Sequence, residues 1–545
     1  MRTFDDEVIR AYTEAGYWSP ETIAQRVHAL SLSKPDGAAF VTEESRATWR
    51  AYDEESTRLA AMLVAAGLAP DDRVGVLMPD GPGVHAAYLA AEKAGLTVVG
   101  IGPRSRANEI EHLLTTTGCS ALVTEPTHRG KPARDLIEAL RGRGHTIDTH
   151  LTVTADAVGR LAVSRDGEPV ADADLDALEG RALGPDDLWL VNSTSGTTGL
   201  PKCVMQTQNR WKYFHQVAEQ AGELTADEIV ISLIPAPFGF GLWTAHFTPT
   251  LLGAPTIVQR DFDVGRACAL IERERATMIA CVSTQFIMML NDPELERHDL
   301  SSLRVMFTGG ERVPYNRARE FEERTGCSVL QFYGSNESGA VSVTTTTDTP
   351  ERRLRTAGRL IGPMNGRVVD LETGADLTGT GERGLCLARG PAATPGYYAD
   401  AAANERLFTP EGEMRSSDIV TVDAEGYLCV VGRDSDIVIR GGQNISAAAV
   451  EELVGAHPRV ALVGVVGAPD EVFGERVCAF VVTRDGTPLE REELAAFLDE
   501  TGASKYLWPE HVVHVDELPR ATGGKVDKSE LRRRIREGAP LDIRA

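Results

Sequence analysis

A chain of 545 residues exceeds what one hydrophobic core usually serves, so at least two domains are expected. Its 42% hydrophobic and 25% charged residues are ordinary globular composition, and no run reaches the roughly 18 apolar residues of a membrane span. A formal net charge of −24 argues against nucleic acid or an anionic membrane surface as partner.

The eight cysteines stand singly, with no C-x-x-C pair. That pattern suits reduced thiols in a cytoplasmic protein better than a metal site or a disulfide frame. The start, Met1 to Tyr17, is charged and lacks an apolar signal core.

Apolar spacing predicts a helix over Asp53–Ala66, a strand over Arg73–Met78, a helix over Gly83–Ala94 and a strand over Leu96–Ile101. Strands alternating with helices imply parallel sheet layers. Residues 145–185 are polar and weakly patterned, and read as a surface connection. The run Leu188–Val191 then reads as a buried strand, and a helix begins near Asn209.

Between them lies Ser193–Thr194–Ser195–Gly196–Thr197–Thr198–Gly199–Leu200–Pro201–Lys202. Glycines let backbone approach a ligand, and free N–H groups with dense hydroxyls make an anion cradle. Lys202 adds a mobile positive charge. The lysine follows Gly-x-Pro, so this is not a Walker loop.

Next, Ile229–Trp243 gives a strand and an aromatic glycine turn containing Phe238, Gly239 and Trp243. Such a wall suits an apolar substrate; plain core aromatics are the alternative. Two more strands, within Arg304–Glu311 and Val329–Gly339, run into the glycine turns where open α/β sheets place ligands. The Thr344–Thr347 run reads as an edge strand or loop, and Arg532–Arg536 as the solvated face of a terminal helix.

The 193–202 loop, Tyr333–Gly334–Ser335–Asn336–Glu337, Gly432–Arg433–Asp434–Ser435–Asp436 and Pro519–Arg520–Ala521–Thr522–Gly523–Gly524–Lys525 together resemble the adenylate-forming superfamily. That group contains acyl- and aryl-CoA synthetases, peptide-synthetase adenylation domains and beetle luciferases. The resemblance implies an α/β fold: a large N-terminal domain of stacked parallel-sheet subdomains plus a β-rich subdomain, with a small mobile α+β C-terminal domain. It places the division at 1–433 and 434–545, with a hinge at Asp434–Ser435.

It also implies roles. Thr194, Ser195, Gly196, Thr197, Thr198, Gly199 and Lys202 would cradle the ATP phosphates, with Thr198 and Lys202 also catalytic. Tyr333 would lie by adenine, with Gly310, Glu311, Phe332, Gly334, Ser335 and Asn336 also around the nucleotide. Asp418 and Arg433 would grip the ribose. Glu337 would hold Mg²⁺, and Lys525 would reach the α-phosphate and the substrate carboxylate. Gly441, Gly442 and Gln443 would serve the thiol step, leaving a slot for a pantetheine arm. Phe238, Gly239, Trp243, Gly309, Gly310, Ser335 and Gly339 would meet the acid.

The implied reaction is an acid:CoA ligation through an acyl-adenylate, on an aromatic, alicyclic or polyketide-like acid, with a homodimer left open. Relatives carry other residues at Cys203, Asn336, Ser417 and Ser435, which keeps open a protein that mainly uses preformed acyl-adenylate. Leu507 and Glu510 interrupt a segment that is often basic, which keeps open a carrier protein, acting in trans, as acceptor. A luciferase-like oxygenase and a non-catalytic adenylate binder complete the alternatives.

Overall fold

In the computed structural model, residues 3–193, 202–433, 436–441, 443–521 and 524–538 are described. Two large sheets carry the fold. A nine-stranded sheet has the parallel core Ala38–Val41, Thr256–Val258, Val230–Ser232, Met278–Ala280, Val305–Gly309 and Ser328–Ser335, with antiparallel strands at both edges. An eight-stranded sheet is built around parallel Arg73–Leu77, Thr97–Gly100 and Leu190–Ser193. The core strands read as near-continuous apolar runs because helices cover both faces.

Helix Pro82–Ala94 shows how the sequence dictates this. Proline stands in its first turn and Gly95 caps it at φ 75°, while nearly every side chain between is buried. It packs against the 17-residue helix Trp49–Ala65, in the core cluster that also holds Trp211, Phe214 and Trp243.

Residues 145–185 differ from the expected connection. Strands Thr149–Ala155 and Leu161–Arg165 pair antiparallel at the sheet edge. Leu151, Val153, Leu161 and Val163 are buried on alternate positions, a period of two that polar neighbours mask. The Thr344–Thr347 run is loop: strand Gly339–Val343 ends before it, and Asp348 caps the turn by accepting from Thr345 N at 2.8 Å.

A four-stranded antiparallel sheet, Arg367–Val369 to Leu428–Arg433, forms the β-rich part. The last sheet gathers Ile437–Arg440, Gln443–Ser446, Val460–Asp470, Gly474–Thr483 and His511–His514, with its own core around Val450, Val465, Val477 and Val481. Terminal helix Lys528–Arg536 buries Leu531 and Ile535 and turns its arginines to Asp436, Glu530 and Glu537.

Candidate active site

Strand Leu190–Ser193 pairs antiparallel with Cys203–Gln206, and Ser193 stands opposite Cys203. The expected phosphate loop is therefore closed at its base by a strand ladder. Thr194, Ser195, Gly196, Thr197, Thr198 and Gly199 lie outside the described residues, as do Gly442, the hinge pair Asp434–Ser435 and the side chain of Arg433. Cys203 is buried, and burial pushes its thiol up to about 11, so it packs as a neutral side chain.

Lys202 Nζ stands 4.7 Å from the centre of the Tyr397 ring. The same tyrosine donates its hydroxyl to Glu337 Oε1 at 2.8 Å. Burial and the Glu337 carboxylate hold that phenol far above its ordinary range, so it remains a donor. The structure thus brings Lys202 and Glu337, 135 residues apart in sequence, onto one aromatic ring. Ser335 Oγ accepts from Glu337 N and Ser338 N, each at 3.1 Å, which fixes the turn.

Asn336 turns inward. Its Nδ2 donates to Asn192 Oδ1 at 2.7 Å, and its Oδ1 accepts from Asn192 Nδ2 at 3.2 Å and Gln206 Nε2 at 3.1 Å. Asn192 also donates to the Pro237 carbonyl at 2.8 Å, tying this cluster to the aromatic turn. A methyl added at Gly239 would come 2.6 Å from Asn336 Oδ1 and 2.8 Å from the Trp211 ring, so only glycine fits there.

Phe238 and Phe240 are half-buried. Phe238 lies over Gly102, where a side chain would approach its ring to 3.0 Å. Phe240 meets Phe332 edge-on at 5.0 Å. Trp243 is placed differently from the expected wall position. It is fully buried, stacked between Phe214 at 4.4 Å and Phe240 at 5.4 Å, and backs the wall from within the core. The helical turns that follow, Gly239–Gly241 running into Leu242–Phe247, carry Trp243 inward, which the aromatic composition alone did not separate from lining.

Strand Ser328–Ser335 alternates its side chains. Phe332 faces the aromatic cluster, and Tyr333 points the other way, into the core of the β-rich sheet near Ser416 and Asp418. Tyr333 is 6% exposed. Asp418 pairs with Arg433 across strands Met414–Val422 and Leu428–Arg433. Gly309 stands in register with Phe332, and Ser335 with Gly339.

Lys525 arrives from the C-terminal sheet's side. Its Nζ donates to the Gly310 carbonyl at 2.6 Å, at the carboxyl end of strand Val305–Gly309. Thr284 Oγ1 donates to Gly524 O at 2.8 Å, and Ser283 N to Glu311 Oε1 at 3.0 Å, so the lysine loop is seated beside the Gly309–Glu311 turn. Gly441 donates its N–H to Phe473 O at 2.8 Å, and exposed Gln443 pairs with Arg440. Their described contacts stay within the C-terminal sheet, while the lysine loop reaches across.

The family model described as AMP-binding enzyme matches residues 29–398, and its C-terminal domain model matches 449–525. The chain belongs to the AMP-binding enzyme family. It is 32% identical to pyochelin synthase PchD of Pseudomonas aeruginosa (strain UCBPP-PA14), over 98% of this chain and 96% of the relative. It is 31% identical to a salicylyl-CoA synthase / salicylate adenylyltransferase of a Streptomyces species, over 97% and 96%. The crystal structure of ATP-bound MatB from Rhodopseudomonas palustris superposes with a TM-score of 0.78 at 27% identity, covering 94% of this chain and 98% of that one.

This AMP-binding enzyme is therefore an adenylate-forming protein with the fold its motifs imply. Among the described residues no helix is long and apolar enough to cross a membrane. Sequence reasoning missed Asn192, Gln206, Arg210 and Thr284, which have polar side chains inside elements that read as ordinary strand or helix. Tyr397 lies in Gly396–Tyr397–Tyr398, an aromatic pair after glycine that is the signal by which it could be found.

Proposed function

We propose that this enzyme activates an apolar, aromatic carboxylic acid as its acyl-adenylate and passes the acyl group to the thiol of CoA. One observation carries the reading: Lys525 is seated on Gly310, beside Phe332 and the aromatic wall, in a chain whose Glu337 and Lys202 converge on Tyr397.

In the first half-reaction a carboxylate oxygen attacks the α-phosphorus, and the bond to pyrophosphate breaks. The transition state asks for alignment and positive charge more than covalent help. Lys525 would stand between the carboxylate and the α-phosphate, Lys202 with Thr194–Gly199 would hold the phosphate tail, and Asp418 with Arg433 the ribose. Glu337 offers a hard carboxylate with one oxygen already oriented by Tyr397. That fits Mg²⁺, which is met by one or two carboxylates and by phosphate oxygens instead of a protein cage. When bound, the ion would neutralise charge on the departing pyrophosphate.

In the second half-reaction sulfur bonds to the acyl carbon, AMP leaves with the electron pair, and the thiol proton passes to solvent. Division at 1–433 and 434–545 would let the small domain withdraw Lys525 and present the Gly441–Gln443 hairpin. CoA as acceptor gains support from the similarity to the salicylyl-CoA synthase / salicylate adenylyltransferase. Around 505–510, by contrast, Glu510 is committed to Arg440 and Lys505 lies over Trp508.

A second reading, transfer from supplied acyl-adenylate alone, is favoured by Asn336, whose amide is engaged by Asn192 and Gln206 instead of facing a nucleotide. A panel of aromatic and aliphatic acids, assayed for pyrophosphate release and for thioester on CoA or a carrier protein, tests both. Pyrophosphate and CoA thioester with aromatic acids are expected. Activity only with added adenylate, or only on the carrier, overturns the first reading.

A further inference from the structure

Beneath the Glu337 turn lies an arginine that the reaction scheme leaves unused. Arg210 sits in the first turn of helix Gln208–Gly222 and is 1% exposed. Nε donates to Ala392 O at 2.8 Å, Nη1 to Gln206 Oε1, and Nη2 to both Asn336 O and Glu337 O at 2.9 Å. These partners are uncharged oxygens, and they use four of the five N–H groups a guanidinium owns. A buried cation is tolerated only when its donors are engaged in this way.

The partners are themselves held. Gln206 donates to Asn192 Oδ1 at 2.8 Å and accepts from Trp211 Nε1 at 3.1 Å, so its carbonyl is aimed at the guanidinium. Ala392 belongs to the same loop as Thr394, whose N–H donates to Glu337 O at 2.7 Å, and Tyr397, whose hydroxyl holds the Glu337 carboxylate. The planar fork therefore clamps two loops that also meet at Glu337 and where Gly339 packs on Ala392. A lysine, with a point charge on a flexible stem, cannot serve the Ala392 and Glu337 carbonyls in one plane.

We propose that Arg210 is a positioning residue for the adenylation half-reaction, its fork fixing the Glu337 turn where the ATP phosphates and their divalent ion arrive. The proposal rests on the role given above to Glu337.

The test is ATP binding to the full-length protein by calorimetry, with and without Mg²⁺, for wild type, Arg210→Met, Arg210→Lys, Gln206→Leu and Glu337→Gln. Wild type should gain affinity from Mg²⁺. Both Arg210 variants should lose most of that gain while binding metal-free ATP as before. Their acid-dependent pyrophosphate exchange should fall on the order of 100-fold, the scale expected when a positioned group shifts by about 1 Å. Thioester formation from supplied acyl-adenylate should stay near wild type, which a merely structural defect would not allow. Retained Mg²⁺ gain in the Arg210 variants, or equal loss of both half-reactions, overturns the proposal. If the Arg210 variants do not fold, Gln206→Leu decides, with the same split at smaller amplitude expected and its absence counting against. If Glu337→Gln keeps the Mg²⁺ gain, the role of Glu337 fails and the proposal with it. If that variant loses the gain and Arg210→Met keeps it, the proposal alone fails.

Discussion

Replacing Gly310 by alanine should separate the two half-reactions. Gly310 adopts φ +77°, a left-handed conformation that costs an L-residue roughly 1–2 kcal/mol. Its new methyl would stand 2.5 Å from Lys525 Nζ, where about 3.5 Å is needed. The backbone there is in a turn, and the crowded atom is the end of a flexible side chain. The methyl is therefore accommodated by displacing the ammonium about 1 Å, not by rebuilding the sheet. A shift of that size at a charge-stabilising group corresponds to a rate loss of around 100-fold. The assay is acid-dependent ATP–pyrophosphate exchange beside thioester formation from supplied acyl-adenylate, with thermal unfolding as the control. Exchange should fall about 100-fold, and the thioester step should stay within about threefold. Exchange at the wild-type rate would refute the claim that the Lys525–Gly310 contact marks the catalytic position of the lysine.

Gly239→Ala should lower kcat/KM for the acid by roughly tenfold, because the methyl collides with Trp211 and Asn336 beside the aromatic turn; saturation kinetics in the acid checks this. Trp243→Ala should cost about 3–5 kcal/mol in urea unfolding, as a fully buried ring stacked on Phe214, whereas Phe240→Ala should alter the ranking of acids in the substrate panel. His215 should make the protein acid-sensitive. Burial, with Arg26 adding, pushes its folded pKa down to about 4 from 6.5, so between these values the unfolded chain holds a proton that the folded chain refuses. Stability contributed by this group is therefore lost as pH falls from 6.5 towards 4, at about 1.4 kcal/mol per pH unit. Urea midpoints at pH 7, 6 and 5 should show a shallower slope for His215→Gln than for wild type.

Local signals were strong where backbone geometry and chemistry coincide. Glycine turns after apolar runs marked Gly309–Gly310 and Tyr333–Glu337; the first strand ends at Gly309, and the second runs on through Tyr333 and Gly334 to Ser335. The hairpin within 149–165 was hidden because threonines and a histidine flank its buried Leu and Val positions, diluting the alternation. Trp243 shows a different limit. Composition says that aromatics gather after Pro235, but Phe240 and Trp243 are three apart and stack on one another, and only their depth in the fold leaves one ring half-buried and the other enclosed. Arg210 was illegible for a further reason. A charged residue in a helix normally reads as solvent-facing, and its burial depends on carbonyls at Asn336, Glu337 and Ala392 that local sequence cannot bring together.

The two sides of the site are built with opposite mechanical character, and the chemistry requires both. Glu337 is gripped by bonds within the large domain: Arg210 and Thr394 on its carbonyl, Tyr397 on its carboxylate, and an amide cluster behind Asn336. Such a network loses its worth if partly broken, because each freed group would remain buried. The contacts that bring Lys525 in are of another kind. They include its bond to Gly310, Thr284 to Gly524, Asn291 to Ala461 at 3.1 Å, and the Arg312–Glu452 ion pair at the surface. The Arg312–Glu452 pair, being exposed, contributes about 0–1 kcal/mol, and each of the part-buried hydrogen bonds contributes about 1 kcal/mol. In the proposed two-step reaction a nucleotide that stays through both steps would call for the rigid side, and a cation needed in only the first would call for the releasable one. Strengthening the lid, for example by a disulfide between the lysine loop and the Gly310 turn, should therefore preserve pyrophosphate exchange and abolish thioester release. A locked enzyme that still turned over to thioester would show that Lys525 need not leave.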